Sequence, residues 1–274
     1  MAVVAPVLLL AFAAAPAPRP DPAEIVRKSV SLDQDNWKKA RDYAYIERQQ
    51  QQDGSGKTSS KTYDVTYLYG KEFRRLIAKD DKPLSEGDGA KEQRRYDKAV
   101  AKQAAKSPEK RAKEEADAEK EHEKDREFAR EIPDAYDFQL LGEDRIDGHP
   151  AWIISATPKP GFVAHDAQAK ALDKVRAKIW IDQESYEWVK ADAEVIRPFK
   201  WGLFLLALNP GTVLHFTQTR VNNEIWLPKR IAVDLDARVL FKNLSGSFDD
   251  TFSNYRKFTS DAKMVSATEA GPQK

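Results

Sequence analysis

Residues 178–196 read KIWIDQESYEWVKADAEVI, and their alternation constrains the fold more than any other stretch. Ile179 and Ile181 alternate with Lys178, Trp180 and Asp182; after a turn-like Gln-Glu-Ser, Val189, Ala191, Ala193 and Val195 alternate with Lys190, Asp192 and Glu194. A period of two, repeated across a reversal, predicts an antiparallel hairpin with one apolar and one charged face. Its apolar face must cover something, either packed core or a space that accepts a ligand.

The same pattern recurs along the chain. Tyr43 and Tyr45 alternate with Ala44 and Ile46, an Asp-Gly-Ser-Gly turn follows, and Tyr63, Val65, Tyr67 and Tyr69 share one face of the returning strand. EFRRLIAKD predicts a third strand, and YDFQLLGEDRIDGHPAWIISATPKP a hairpin around Asp147-Gly148 that ends at Pro158 and Pro160. TVLHFTQTRV, IWLPKRIAVDLDARV and SFDDTFSNYRKF add late strands. At the front, Asp21-Pro22-Ala23-Glu24 opens a helix expected to run from Pro22 to Asp33, with Asp35 to Lys39 leading into the first strand. The expected fold class is α+β, mainly antiparallel β, with helices on one face of a sheet or open barrel.

Two segments depart from this pattern. From 86 to 131 nearly every residue is charged, Ala or Gln, with Tyr96, Val100 and Phe128 as rare exceptions. Strong helix formers with interspersed charges predict a solvated helical insertion, broken in two at Ser107-Pro108. It is read either as a solvated insertion or as an arm that binds a protein partner. In FKWGLFLLALNPG, only Lys200 is charged. This stretch is too short to span a bilayer and too apolar for a surface helix. A short lid-like helix is expected, with a buried strand as the alternative, and it either plugs the core or contacts a ligand.

Balance and composition exclude several functions. Forty-five basic against 44 acidic residues leave a formal charge of +1, without the basic surplus that nucleic-acid binding needs. The absence of cysteine removes disulfides, thiolate zinc sites and cysteine nucleophiles. Gly56-Lys57-Thr58 lacks the earlier P-loop glycine, since Gln51 stands there, and reads as a hairpin turn. His122-Glu123 is followed by Arg126 where a zinc helix places its second histidine. His149, His165 and His215 share no metal-site spacing, and Asp249-Asp250 reads as solvent charge beside a turn. No nucleophile-and-base set appears, so no catalytic residue, metal or cofactor is expected.

The N-terminus, MAVVAPVLLLAFAAAPAPRPDP, has an apolar run from Ala2 to Ala15 and a small-x-small site at Ala11-Phe12-Ala13, although no basic residue precedes Arg19. Residues 1–20 are expected to be a signal peptide and Pro-rich spacer, with an uncleaved anchor or plain tail as alternatives. Residues 21–260 are expected to form one domain and 261–274 a disordered tail.

Residues 135–258 carry a further pattern. Gly142, Ile146 and Gly148 precede a strand, Trp180-Ile181-Asp182 opens a hairpin, and Trp226-Leu227-Pro228 introduces a late strand. These positions resemble the outer-membrane lipoprotein-sorting proteins of the LolA-like superfamily, with weaker similarity over 24–84 and no counterpart for 86–131. The resemblance implies an incomplete, strongly curved β-barrel closed by helices around an apolar cavity. Such a protein would be a soluble periplasmic carrier of lipid acyl chains or lipoprotein, working as a monomer, and not an enzyme. On alternation, Phe138, Leu140, Ile179, Ile181, Val189, Ile231 and Val233 would line that cavity, with Trp201, Phe204, Leu205 and Leu208 from the lid. The alternative function is an envelope protein-interaction or stress-sensing module on the same fold, using the charged arm.

Overall fold

A computed structural model describes residues 19–32, 36–165, 168–201, 206–239, 242–258 and 264–266. The leading helix α1 (Pro22–Leu32) places Ile25 and Val26 on its buried side. Of the stretch Asp35 to Lys39, expected to lead into the first strand, Asn36 to Lys39 belong to the one-turn helix α2 (Asn36–Ala40). Strands β1 (Tyr43–Asp53), β2 (Thr58–Leu68), β3 (Lys71–Lys79) and the short β4 (Lys82–Pro83) follow. The charged insertion is two helices, α3 (Glu86–Ala104) and α4 (Pro108–Ala135), each opened by a serine whose hydroxyl accepts a backbone N–H: Ser85 from Asp88 and Ser107 from Lys110. Pro108 occupies the first helical position of α4, where a missing N–H costs nothing.

After the insertion come β5 (Tyr136–Ile146), β6 (His149–Pro158), a 3₁₀ turn (Ala169–Lys174), β7 (Val175–Asp182), β8 (Trp188–Val195), β9 (Phe199–Trp201), β10 (Leu206–Leu208), β11 (Val213–Val221), β12 (Ile225–Val239), β13 (Lys242–Phe258) and β14 (Met264–Ser266). Asp147 and Gly148, both at positive φ, make the tight turn between β5 and β6 that the Asp-Gly pair predicts.

All pairings are antiparallel, and the main path runs β4-β3-β2-β1-β13-β12-β11-β8-β7-β6-β5. Its two ends, β4 and β5, do not pair with each other, so the curled sheet is an incomplete barrel. In sequence, α3 and α4 join those two ends. The insertion is therefore a connection between the free edges of the sheet.

The helices pack unequally. Helix α1 lies against the core formed by Ile154, Ile179, Ile181 and Ala191. The C-terminal end of α4 contributes Phe128, Ile132 and Ala135 to a cluster with Tyr136, Ala156, Ala169 and Leu172. Its N-terminal half is held by polar contacts: Glu115 with Arg41 at 2.6 Å, Glu119 with Lys38 at 2.6 Å, and His122 stacked on Trp37 at 4.5 Å.

Two expectations change here. The described ends of the apolar stretch 199–208 are extended and pair with each other, Phe199 opposite Leu208 and Trp201 opposite Leu206, instead of forming a lid helix. Strand β10 also pairs with the overhanging end of β12, so the long neighbour supplies a ladder that an isolated apolar helix would lack. Within the expected disordered tail, Met264–Ser266 pair with Arg256–Phe258. Residues 1–18, most of the expected signal peptide, lie outside the described residues.

Candidate functional site

Residues directly opposite in an antiparallel ladder share a face, so the register lets one face be read strand by strand. One row runs Ile154, Ile179, Ala191, Phe216, Ile231, Asp250, Gln49 and Lys61, from β6 across to β2. The next row on that face runs Ala156, Ala177, Ala193, Leu214, Val233, Phe248, Gln51 and Ser59. Both rows are apolar on the β6 side and polar on the β2 side. The change falls at β13 in the first row, at Asp250, and at β1 in the second, at Gln51.

This is the face on which α1 sits, because Ile154, Ile179 and Ala191 are the core beneath Ile25 and Val26. Beyond α1 the apolar rows continue with no described helix over them. Leu214 and Phe248 are each 38% exposed, with half-buried Val233 between them in register. Half-buried Leu235 extends the patch along β12, and Leu208 lies opposite Ala237 at its outer end. The opposite face is charged: the intervening row is Lys178, Asp192, His215, Ala232 and Asp249. There His215 Nδ1 meets Asp192 at 2.7 Å, Arg176 pairs with Glu194 at 2.7 Å, and Arg230 grips Asp249 at 2.8 and 2.7 Å.

The sequence-predicted residues divide accordingly. Ile179 and Ile181, at 1% and 0% exposure, are packed core, with Phe138 and Leu140 half-buried against the same cluster. Ile231, Val233 and Leu208 stand on the less covered part of the face. Val189 does not join them: it packs with Ala151, Trp180 and Trp226. A register shift between Trp180 and Ile181 sets Trp188 opposite Ile181, so Trp188 takes the place beside α1 and Val189 turns to the other cluster. Trp201 ends β9, and Phe204 and Leu205 lie outside the described residues. Sequence reasoning missed Leu214, Phe216, Leu235 and Phe248. Their alternation is visible in TVLHF and SFDDTF, but only long-range register places them in one patch.

The polar part of the face holds desolvated carboxylates. Burial raises the Glu47 carboxyl above its usual range despite Arg74 at 2.5 Å, and burial likewise raises Asp250, whose side chain accepts from Gln49 at 3.4 Å. An opening of about 260 Å³ lies between α1, α4 and the sheet, lined by Ser29, Val30, Ala129, Ile132, Trp188 and Gln218 among others. Among the described residues there is no cluster of three or more metal-ligating side chains, and no helix is long and apolar enough to cross a membrane.

Fold and face together define an open antiparallel sheet that presents an amphipathic surface under a partial helical cover. No protein-family model and no curated protein matches the chain. Among solved structures it is similar to a DUF1329 family protein from Desulfovibrio piger, at 14% identity and TM-score 0.33 over 88% of this chain and 95% of the other. It is also similar to an outer membrane lipoprotein-sorting protein domain from Vibrio parahaemolyticus, at 11% and 0.32 over 86% and 94%. A LolA superfamily protein from Nitrosomonas europaea gives 11% and 0.32 over 88% and 95%.

Proposed function

We propose that the chain is a periplasmic binding protein for lipid or lipoprotein acyl chains, which it shelters on the helix-bearing face of its sheet for transport through water toward the outer membrane. The observation that carries this reading is the pair of cross-strand rows. An amphiphile laid along them would rest its chain on Ala193, Leu214, Phe216, Ile231, Val233 and Phe248 and its polar end near Gln49, Gln51 and Asp250. Each methylene removed from water contributes about 0.8 kcal/mol, so even a partly covered chain is held firmly. The exposed Leu214 and Phe248 gain the same kind of burial.

The test is uptake of a fluorescent fatty-acid probe by the purified protein. Val233→Asp, which plants a charge in the middle of the patch, is expected to weaken uptake at least tenfold, whereas Lys178→Asp on the charged face leaves it unchanged. Equal uptake by all three proteins would remove the proposal.

A protein-interaction role for the insertion is the second reading, favoured by the length of α4, 28 residues with almost no buried side chain. Deleting residues 88–130 would also remove Phe128 from the core. Charge reversal of the exposed Lys110 and Lys113 is the cleaner variant, and it should abolish partner capture while probe uptake persists.

A further inference from the structure

On the other side of the sheet, a cleft of about 860 Å³ opens between α2, the strands β1, β2 and β13, and the inner side of the α3–α4 pair. Asp64 stands opposite Ile46, one residue out of phase with Glu47 and Gln49, so the cleft floor is not the helix-bearing apolar face. It is a separate site, and nothing in the acyl-chain reading requires it.

Its floor has an unbalanced charge. The Asp64 carboxylate accepts from Arg75 Nη2 at 2.9 Å through one oxygen and from Arg256 through the other. Two guanidinium groups therefore share one carboxylate, with Arg256 only 19% and Asp64 21% exposed. Arg256 Nε, buried, finds no acceptor among the described residues. Nearer the mouth, Arg41 is held by both oxygens of Glu115 at 2.6 and 2.8 Å. At the rim Lys38 is paired with Glu119 and Arg41 with Glu115, so the surplus of guanidinium over carboxylate is confined to the Arg75–Asp64–Arg256 floor, with Tyr67, Tyr69 and Tyr96 as aromatic walls. A half-buried guanidinium with a free N–H is costly unless an acceptor reaches it, and its planar fork matches phosphoryl or carboxylate oxygens.

We infer that this cleft binds a small organic anion through a phosphoryl or carboxylate group, which Arg256 and Arg75 grip at the floor while the tyrosines flank the rest of the ligand. Asp64 competes for the same two guanidinium groups. It holds them in place when the cleft is empty and weakens the grip when an anion arrives.

That competition gives two substitutions of opposite sign. Backbone amide shifts would be followed in the full chain during titration with inorganic phosphate and, separately, acetate, with sodium chloride at matched ionic strength as the reference. Saturable shifts at Tyr69, Gly70 and Arg256 with phosphate or acetate but not chloride are expected, and which anion binds tighter separates a phosphoryl from a carboxylate ligand. Arg256→Gln should weaken binding about tenfold, the loss of one charge-assisted pair, and Asp64→Asn should tighten it. If Arg256→Gln does not fold, Arg75→Gln replaces it with the same expectation. Shifts matched by chloride, or affinities unmoved by Asp64→Asn and by the arginine substitution, would overturn the site.

Discussion

Asp249 and Asp250 project from opposite faces of β13, and their carboxyls titrate in opposite directions. Arg230 donates two hydrogen bonds to Asp249 and holds it below the ordinary Asp value of 3.8, while burial raises Asp250 above it. A lowered native pKa contributes stability that is present above the ordinary value and lost as pH falls through the native one. A raised native pKa does the reverse: the native state holds its proton more tightly, and stability declines as pH climbs from the ordinary value through the raised one. Asp249→Asn should therefore cost up to about 1 kcal/mol at pH 7, and the loss should shrink as pH falls below 3.8 and vanish below the lowered native value. Asp250→Asn should stabilise at pH 7, with the gain fading over the window just above 3.8. Urea unfolding of both variants at pH 7 and pH 3 measures this, and changes of the same sign at pH 7 would contradict the opposed environments. The sequence presents the pair as turn-side solvent charge because it does not disclose that β13 continues through them.

Gly246 is a second residue whose role needs the fold. A Cβ there would lie 2.4 Å from the Gln52 carbonyl oxygen on β1, a backbone atom that cannot swing aside. Gly246→Ala is expected to destabilise the protein by about 1–3 kcal/mol, read as a lower urea midpoint with unchanged slope. An unchanged midpoint would mean that β1 and β13 are free to part there.

At the scale of elements, what is legible depends on whether the signal is local. The break between α3 and α4 is written in Ser107-Pro108, and the extent of α1 in the spacing of Ile25, Val26 and Val30. Residues 199–208 mislead because a short apolar run has no period that separates helix from buried strand, and its pairing partner, Ala237–Val239, is remote in sequence. Val189 misleads because the bulge that turns it is a property of the β7–β8 pair and not of either strand. For the insertion, composition correctly predicts two solvated helices but does not show that α4 is anchored by one end. Ile132→Ala should cost about 1–3 kcal/mol because it removes a half-buried side chain that packs α4 on two core clusters. Glu115→Gln should cost less, about 1 kcal/mol, because Glu115 is half-exposed and a glutamine oxygen can still accept from Arg41. Chemical denaturation would show the difference; comparable losses would mean the polar half of α4 holds it as firmly as the apolar half.

At the scale of the whole molecule, one sheet serves two environments. Its charged face pairs Arg176, His215 and Arg230 with acids, while its helix-bearing face changes from packed core to open apolar patch to polar groups without leaving a single register. The patch from Leu214 to Phe248 is the part that the described helices leave uncovered, and in the proposed function an acyl chain covers it. Native mass spectrometry with solvent extraction, on protein isolated without detergent, tests this most directly. A carrier of acyl chains should show a mass raised by one bound amphiphile, an acyl species in the extract, and an apo mass for Val233→Asp. An apo mass for the unmodified protein, together with no uptake of a fatty-acid probe, would contradict that role and leave the patch without a lipid to cover it.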